Sequence, residues 1–378
     1  MHPGSSGKLI RLSKSCLSAA EKAAVMGVLD REFLGMGAEV QAFENDLADF
    51  LGRPVACVAT GTAALHLALQ AAGIGPGDEV LVPSLTYVAS FQAIAATGAC
   101  PVACDVLPET LTLDSRDAES RLTAHCRAVM PVHYAGGVGD LDAVYAFARA
   151  HGLRVIEDAA HAFGSRYKDK VVGGFGDVAC FSFDGIKNIT SGEGGCVVSD
   201  DEALLARVRD SRLLGVEKDT ERRFAGERSW EFDVLAQGWR YHMSNIMAAI
   251  GIEQLKRRGE LADKRQTLAR HYQVCLGQRG DLRLLRQDYA AIVPHIFPLR
   301  LPPGCERDAL RQELLARGIQ TGVHYQPNHV LSRFHAAGAK PLPVTEAAAR
   351  ELLSLPLHPD MSIADVDFVC AALASVLQ

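Results

Sequence analysis

Several features that define other protein classes are missing from this sequence of 378 residues. It contains no apolar run of about 20 residues, so we expect no membrane-spanning helix. Its formal net charge is −6, and it therefore lacks the basic excess that is typical of a nucleic-acid-binding protein. It also has no internal repeat and no low-complexity segment, which argues against a disordered chain.

Cysteine pairs of the kind that bind zinc or form disulfides are missing too. The ten cysteines are scattered, without a Cys-x-x-Cys motif. Five of them lie in apolar surroundings: Cys57, Cys100, Cys104, Cys180 and Cys196. We therefore expect reduced, buried thiols in a cytoplasmic protein, with neither disulfides nor a metal site. Residues 1–7 have no apolar core behind a basic start, so no secretory signal is expected.

The rest of the composition is typical of an α/β protein. Hydrophobic residues make up 48% of the chain and charged residues 22%. Short apolar segments that predict strands alternate with predicted helices of about ten residues. The predicted strands include residues 79–83, 101–105, 127–133, 153–156 and 178–183. This alternation predicts a mostly parallel central sheet with helices on both faces.

The pattern changes after a helix predicted from residue 244, which continues as a charged helix to about residue 277. We predict a large α/β domain with an N-terminal helical segment over residues 1–255 and a smaller α+β domain over residues 256–378. Outside the first group of strands we also predict a surface loop at 215–230, strands at 295–301 and 318–325, and helices at 307–317, 345–353 and 363–376.

Polar groups stand where three predicted strands end, at His133, Asp158 and the loop that carries Lys187. Ligands of open α/β sheets collect beyond the carboxyl ends of the strands. Lys187 lies between two apolar segments and before the glycine-rich residues 192–195. Taken alone, such a lysine is more often a solvated loop residue than an amine held in a pocket.

A turn of small residues at 60–65 opens a predicted helix. Backbone N–H groups at the start of a helix favour a phosphate. The alternative is an ordinary N-cap by Thr60 or Thr62.

Together, these residues supply the groups needed by an aldehyde cofactor held as a lysine imine. That chemistry needs an amine, a carboxylate against the pyridine nitrogen, an aromatic plate over the ring and a phosphate cradle. In that order the candidates are Lys187, then Asp158, then Tyr87, then Gly61, Thr62, Ala63 and Ser182. Each has an alternative role: Asp158 as a helix cap, Tyr87 as a core residue and Ser182 as a plain strand residue. Their joint occurrence favours the cofactor.

These motifs resemble the DegT/DnrJ/EryC1/StrS sugar aminotransferases, which have the type I fold of pyridoxal-phosphate (PLP) enzymes. The segments that carry the resemblance are residues 35–44, 60–69, 82–89, 131–136, 156–164, 181–187 and 192–195. The resemblance implies that Lys187 forms the imine with PLP and moves the proton at the substrate carbon. It implies that Asp158 pairs with the pyridine nitrogen and Tyr87 stacks on the ring. It also implies that Ser182, Gly61, Thr62 and Ala63 contact the phosphate.

The same resemblance implies glutamate as the amino donor, a keto sugar nucleotide as the acceptor, and a homodimer. The segment 324–329 resembles a His-Tyr-x-Pro-x-His motif near the sugar nucleotide, which makes Tyr325 and His329 substrate-side candidates. Glu193 before the glycine pair is more typical of members that act at C4 of the sugar than of those that act at C3. The implied product serves amino-sugar synthesis for lipopolysaccharide O-antigen, other glycans or glycosylated metabolites.

The sequence departs from the family pattern at two places. His161 stands where a glutamine usually lies near the cofactor 3-hydroxyl. Arg240 and His242 replace an Asn and an Arg in a segment whose asparagine reaches the phosphate of the neighbouring subunit. Arg240 either serves that phosphate, which makes the active site shared, or pairs with an acid such as Asp233.

Two other functions remain open. One is a PLP-dependent sugar dehydratase, although those relatives often replace the lysine with histidine. The other is a PLP-binding regulator without turnover, which need not keep Lys187.

Overall fold

The computed structural model describes residues 9–227, 231–335, 338 and 340–377. Their helices are α1 Ala19–Asp30, α2 Ala38–Leu51, α3 Gly61–Ala71, α4 Val88–Ala96, α5 Ser115–Ser120, α6 Leu141–His151, α7 Glu202–Ser211, α8 Asp219–Phe224, α9 Asn245–Lys256, α10 Arg258–Leu276, α11 Arg307–Ala316, α12 Pro343–Glu351 and α13 Ile363–Val376. Their strands are β1 Val55–Val58, β2 Glu79–Pro83, β3 Cys100–Cys104, β4 Cys126–Val129, β5 Arg154–Asp158, β6 Arg166–Tyr167, β7 Lys170–Val171, β8 Val178–Ser182, β9 Gly195–Ser199, β10 Arg283–Leu284, β11 Phe297–Arg300 and β12 Leu352–Leu355.

Seven strands form the central sheet, in the order β1-β9-β8-β5-β4-β2-β3. The pairs β2–β3, β2–β4, β4–β5 and β5–β8 are parallel, and β9 runs antiparallel to both of its neighbours. Leu67 and Phe91 pack on one face of the sheet, while Phe43 and Leu47 pack on the other. The predicted mostly parallel sheet with helices on both faces is therefore confirmed.

A second, three-stranded antiparallel sheet of order β10-β11-β12 lies in the C-terminal part of the chain. It packs on α10 and α13 around a core that includes Tyr272, Phe297 and Leu373. Ile10 joins this core and bridges to Ile319, so the start of the described chain lies against its C-terminal part. The domain division at residue 255 stays a prediction, and it falls within the last turn of α9, just before α10 begins.

Three local predictions were wrong. The loop predicted at 215–230 contains α8, and its residues 228–230 lie outside the described chain. The strand predicted at 318–325 is reduced to single bridges at Ile319 and Gly322. The end of the helix predicted at 345–353 is instead the strand β12, because pairing with the distant β11 overrides local helix propensity.

The cysteines are free thiols, as expected. Cys100 is exposed rather than buried, because it begins β3, which lies at the edge of the central sheet. Among the described residues, no helix combines the length and the hydropathy that crossing a bilayer requires.

Candidate active site

A cavity of about 440 Å³ lies beyond the carboxyl ends of β5 and β8 and at the start of α3. The predicted site residues that line it are Gly61, Thr62, Tyr87, Asp158, His161, Ser182, Lys187, Glu193 and Tyr325. Parallel strands bring these distant residues together because their carboxyl ends meet at one edge of the sheet.

The start of α3 combines a helix cap with free backbone donors. Thr60 Oγ1 accepts a hydrogen bond from the Ala63 N–H at 3.0 Å, so the N-cap alternative is correct for Thr60. The N–H groups of Gly61 and Thr62, just before it, have no acceptor in the described part of the chain. A Cβ on Gly61 would lie 2.7 Å from Ser182 Cβ, so only glycine lets the helix start come this close to Ser182. The free N–H groups and the Ser182 hydroxyl suit a phosphate.

Asp158 is held as a hydrogen-bond acceptor at the end of β5. Its Oδ2 accepts from Ser90 Oγ at 2.7 Å, and its Oδ1 accepts from the Ala160 N–H at 3.2 Å. The carboxylate is 6% exposed and lines the cavity. Residues 159–163 form turns rather than a helix, so the alternative role of Asp158 as a helix cap is not observed. A buried carboxylate with two donors remains an acceptor that can face a protonated ring nitrogen.

Lys187 extends into the cavity with its Nζ 3.4 Å from His295 Nε2. Burial lowers the pKa of this amine to about 8, even though Asp158 and Asp184 act in the opposite direction. The positive charge of Arg265 lowers the pKa further. A pKa near 8 leaves a useful fraction of neutral amine near pH 7, as nucleophilic and basic lysines require.

Three histidines surround the lysine: His161, His295 and His324. Burial and the nearby Lys187 hold the pKa of His161 and His295 well below the usual range and lower the pKa of His324 to about 4. The rings of His161 and His295 lie 4.4 Å apart between centroids. All three imidazoles are therefore neutral near pH 7 and add no positive charge to the cavity.

The tautomer of His161 follows from its neighbours. Its Nδ1 accepts a hydrogen bond from the Ala135 N–H at 3.4 Å, so the proton of the neutral ring is on Nε2. That Nε2–H lies 3.0 Å from the Tyr325 hydroxyl, which accepts from it. His161 thus keeps an N–H donor on the cavity side, as the amide of a glutamine at this position would.

Two tyrosines form part of the cavity wall. Tyr87 is 58% exposed, so its alternative role as a core residue is wrong. Its ring lies 5.5 Å from that of Tyr325, with planes inclined at 48°. The exposed face of Tyr87 is available to a planar ligand ring.

Three predicted site residues lie outside this lining. Ala63 uses its N–H for the Thr60 cap. His329 Nδ1 lies 2.7 Å from Ser84 Oγ, and the residue lines a separate surface cavity with Glu346.

Arg240, the third, is exposed and lines another surface cavity beside Phe232. Within the described residues Arg240 forms no ion pair, so pairing with Asp233 is not observed. Burial and the nearby Arg223 lower the pKa of His242, in the same cavity, to about 4.

Sequence reasoning missed three residues of the site. His295 contacts the lysine, Asp184 lines the cavity, and Ser90 holds Asp158. His133, which was singled out at a strand end, instead pairs with the buried Glu157 at 2.7 Å. Only the position of Ser90 in the first turn after Tyr87 was a usable signal, since the contacts of His295 and Asp184 depend on tertiary structure.

Known proteins show the same architecture. TlmJ, an aminotransferase from Streptoalloteichus hindustanus, is 34% identical; the match covers 98% of this chain and 99% of TlmJ, with a TM-score of 0.90. DesV from S. venezuelae is 35% identical over 95% of each chain, with a TM-score of 0.86. The sugar aminotransferase CalS13 from Micromonospora echinospora is 30% identical over 97% of this chain and 100% of its own, with a TM-score of 0.88.

Matching structures also include PLP-bound and PMP-bound forms. The DegT/DnrJ/EryC1/StrS aminotransferase family matches residues 15–374, nearly the whole chain. The cavity contains an amine, a carboxylate and free backbone N–H donors, the kinds of group that PLP chemistry requires. The chain therefore belongs to the DegT/DnrJ/EryC1/StrS aminotransferase family and is a PLP-dependent sugar aminotransferase of fold type I.

Proposed function

We propose that this enzyme moves an amino group from glutamate to a nucleotide-linked 4-keto-6-deoxyhexose, in two half-reactions that share one site. The observation that carries this proposal is the shared cavity: the Lys187 amine, the Asp158 carboxylate and the free N–H groups of Gly61 and Thr62 all face it. In this arrangement the Lys187 amine, which would transfer the proton, shares one cavity with the groups that would bind the cofactor ring and its phosphate.

Each residue has a defined task toward the cofactor. Gly61, Thr62 and Ser182 would bind the phosphate, and Asp158, oriented by Ser90, would bind the ring nitrogen. Tyr87 would cover the ring, and the Tyr325 hydroxyl, which accepts the Nε2–H of His161, would donate its own proton to the 3-oxygen of the ring. Bound PLP supplies an electron sink for the substrate carbon.

Lys187 performs the proton transfer. In its neutral form the amine takes a proton from the carbon of the amino donor, and in its protonated form it returns one to the carbon of the acceptor. The lowered pKa keeps both forms accessible near neutral pH. Ping-pong kinetics follow from the two half-reactions.

The charge of the cavity supports a homodimer with shared sites. In the described lining, Lys187 is the one cationic side chain, whereas Asp158, Asp184 and Glu193 are acidic. Glutamate and a nucleotide diphosphate are both anionic, so they need positive charge from outside this lining. A second copy of the chain would supply it.

Arg240 is the residue we propose for that task. It is exposed without an ion pair in the described chain, and exposed apolar side chains lie near it in sequence and structure, including Leu214, Phe232 and Leu235. Apolar groups around an unpaired arginine are typical of an interface.

The choice of C4 rests on the family resemblance at Glu193. Glu193 lines the cavity in the loop after Lys187, and burial raises the pKa of its carboxyl. The cytoplasmic location and the role in lipopolysaccharide or other amino-sugar synthesis stay predictions; the free thiols fit a reducing compartment.

The direct test incubates the purified enzyme with PLP, glutamate and a panel of 3-keto and 4-keto sugar nucleotides, with mass detection of amino sugar and 2-oxoglutarate. We expect amination of a 4-keto sugar with an equal amount of 2-oxoglutarate, and no product with Lys187→Ala. Loss of oxygen without nitrogen gain would indicate the dehydratase, and PLP binding without product would indicate the regulator. Amination of only 3-keto sugars would overturn the C4 choice alone.

A further inference from the structure

Four arginines are buried in the described chain, and their charges are balanced differently. Three of them pair with a carboxylate: Arg53 with Asp200, Arg212 with Glu44 and Arg300 with Glu351. The fourth, Arg265, is 2% exposed, and no carboxylate in the described residues pairs with it. A buried charge without a partner of opposite sign is costly, so its place in the fold needs a reason.

The guanidinium of Arg265 is bound by backbone carbonyls alone. Its Nη1 donates to the oxygens of His295 at 3.1 Å and Leu357 at 3.3 Å. Its Nη2 donates to the oxygens of Ile186 at 3.2 Å and Lys187 at 3.4 Å. Arg265 therefore joins α10 to the lysine loop, to the segment of His295 and to the segment after β12.

These contacts converge on two residues of the active site, Lys187 and His295. Lys187 and His295 contact each other through their side chains and are both held through their own carbonyl oxygens by Arg265. His295 has no other side-chain hydrogen bond in the described chain, because its Nδ1 is buried without a partner. The backbone clamp is thus the polar contact that fixes where this imidazole meets the amine.

We propose that Arg265 is a positioning residue for the amine: it fixes the Lys187–His295 pair and, through its uncompensated positive charge, favours the neutral form of Lys187. This deepens the proposed function, on which the value of a neutral amine rests. Burial lowers the pKa of Arg265 itself to about 10, so the guanidinium stays charged near pH 7. Its charge therefore acts steadily across the working range.

The other groups around Lys187 include carboxylates, whose effect on the Lys187 pKa is opposite to that of Arg265. Asp158 at the end of β5 and Asp184 in the lysine loop are negative and raise the pKa of the amine. His161, His295 and His324 are neutral, and Tyr325 is an un-ionised hydroxyl. Glu193 is a further acid at the rim. Among the charged groups in this set, Arg265 is the cation that opposes protonation of Lys187.

The test measures the Lys187 pKa in the full chain freed of cofactor, by competitive acetylation with acetic anhydride across pH and mass spectrometry of the Lys187 peptide. In Arg265→Gln, which keeps an N–H donor and removes the charge, we expect this pKa to rise by about half a unit. Arg265→Met removes charge and donors together, and we expect at least the same rise. If the Arg265→Met variant does not fold, the Arg265→Gln variant alone is sufficient to test the proposal.

Arg53→Gln is the matched control, because Arg53 also donates to four backbone carbonyls, those of Gly173, Phe175, Gly176 and Asp177. It should lower thermal stability while leaving the Lys187 pKa unchanged. A wild-type Lys187 pKa in folded Arg265→Gln, or an equal rise in Arg53→Gln, would overturn the proposal. Because labelling needs neither PLP nor sugar, it stands apart from the panel assay: the pKa shift can appear even if no keto sugar is aminated.

Discussion

The two walls of the cavity are built in opposite ways. The wall from the central sheet carries polar side chains that are hydrogen-bonded: Asp158 has donors from Ser90 and Ala160, and Thr60 Oγ1 caps α3. The other wall, from residues beyond α9, has under-satisfied groups in it or behind it. His295 lines the cavity with an unpartnered Nδ1, and behind it the buried Arg265 has no acid partner in the described residues. The first arrangement fits rigid binding of a cofactor, and the second fits control of the lysine proton.

The groups that would hold the cofactor (the anchoring groups) and the groups that set the protonation of Lys187 (the tuning groups) therefore come from different parts of the chain. Anchoring groups come from strand ends and helix starts, where geometry is set locally. Tuning groups reach Lys187 from α10 and from the segment before β11. Substitutions in the two walls should therefore produce different signatures, cofactor loss for one and altered protonation for the other.

The largest expected effect concerns a possible third side of the cavity, formed by Arg240 of a second subunit. Lys187→Ala and Arg240→Ala should each lose nearly all transamination alone. After subunit exchange at equal amounts, about a quarter of wild-type activity should return, because half the dimers are mixed and each has one intact site. Steady-state rates of the mixture measure this. High activity of Arg240→Ala alone, or no recovery on mixing, would contradict shared sites.

The next effect concerns the anchoring wall. Gly61→Ala places a Cβ 2.7 Å from that of Ser182 and should weaken PLP binding by at least about tenfold, because helix start and serine must separate. Gly259→Ala is the control: apart from its chain neighbours and the backbone of its own helix, no heavy atom lies within 4 Å of the position that its methyl group would take, and helix propensity favours alanine there. Fluorescence titration with PLP compares them. Equal affinities would show that the close approach is unimportant for the phosphate.

A smaller effect concerns the tuning wall and its pH dependence. Only the neutral amine attacks the PLP aldehyde, and burial lowers the Lys187 pKa to about 8. The rate of PLP capture by the cofactor-free chain should rise with pH up to about 8 and then level off. Stopped-flow absorbance follows this reaction. A rate that keeps rising to about pH 10 would mean an unperturbed lysine and would remove the distinction between the walls.

The smallest effects separate two substrate-side predictions. Tyr325 lines the cavity, whereas His329 lies in a different one. Tyr325→Phe loses one neutral hydrogen bond with His161 and should weaken cofactor binding by about fivefold. His329→Ala should leave PLP affinity unchanged and the acceptor KM within about twofold. A larger KM change for His329→Ala would restore its predicted substrate role and implicate a partner subunit.

Much of the fold could be predicted because it is written in local pattern. The strand at 79–83 and the helix at 363–376 have the predicted bounds, since each combines a clear apolar pattern with a turn at its ends. The errors fall where pairing is long-range. β12 forms because it pairs with β11. The segment at 318–325 forms only single β-bridges, at Ile319 and Gly322.

The sequence by itself determined the chemical type of the site. Lys187, Asp158, Tyr87 and the turn at 60–65 stand at strand ends and a helix start, and parallel-sheet geometry brings such positions together without further information. Only the tertiary structure decided how the lysine is tuned. Arg265 lies 78 residues from Lys187 and meets it through a backbone carbonyl, a contact that no side-chain pattern encodes. Lys187 can therefore be recognised from its position in the chain. Its pKa depends on burial and on Arg265 of the distant helix α10.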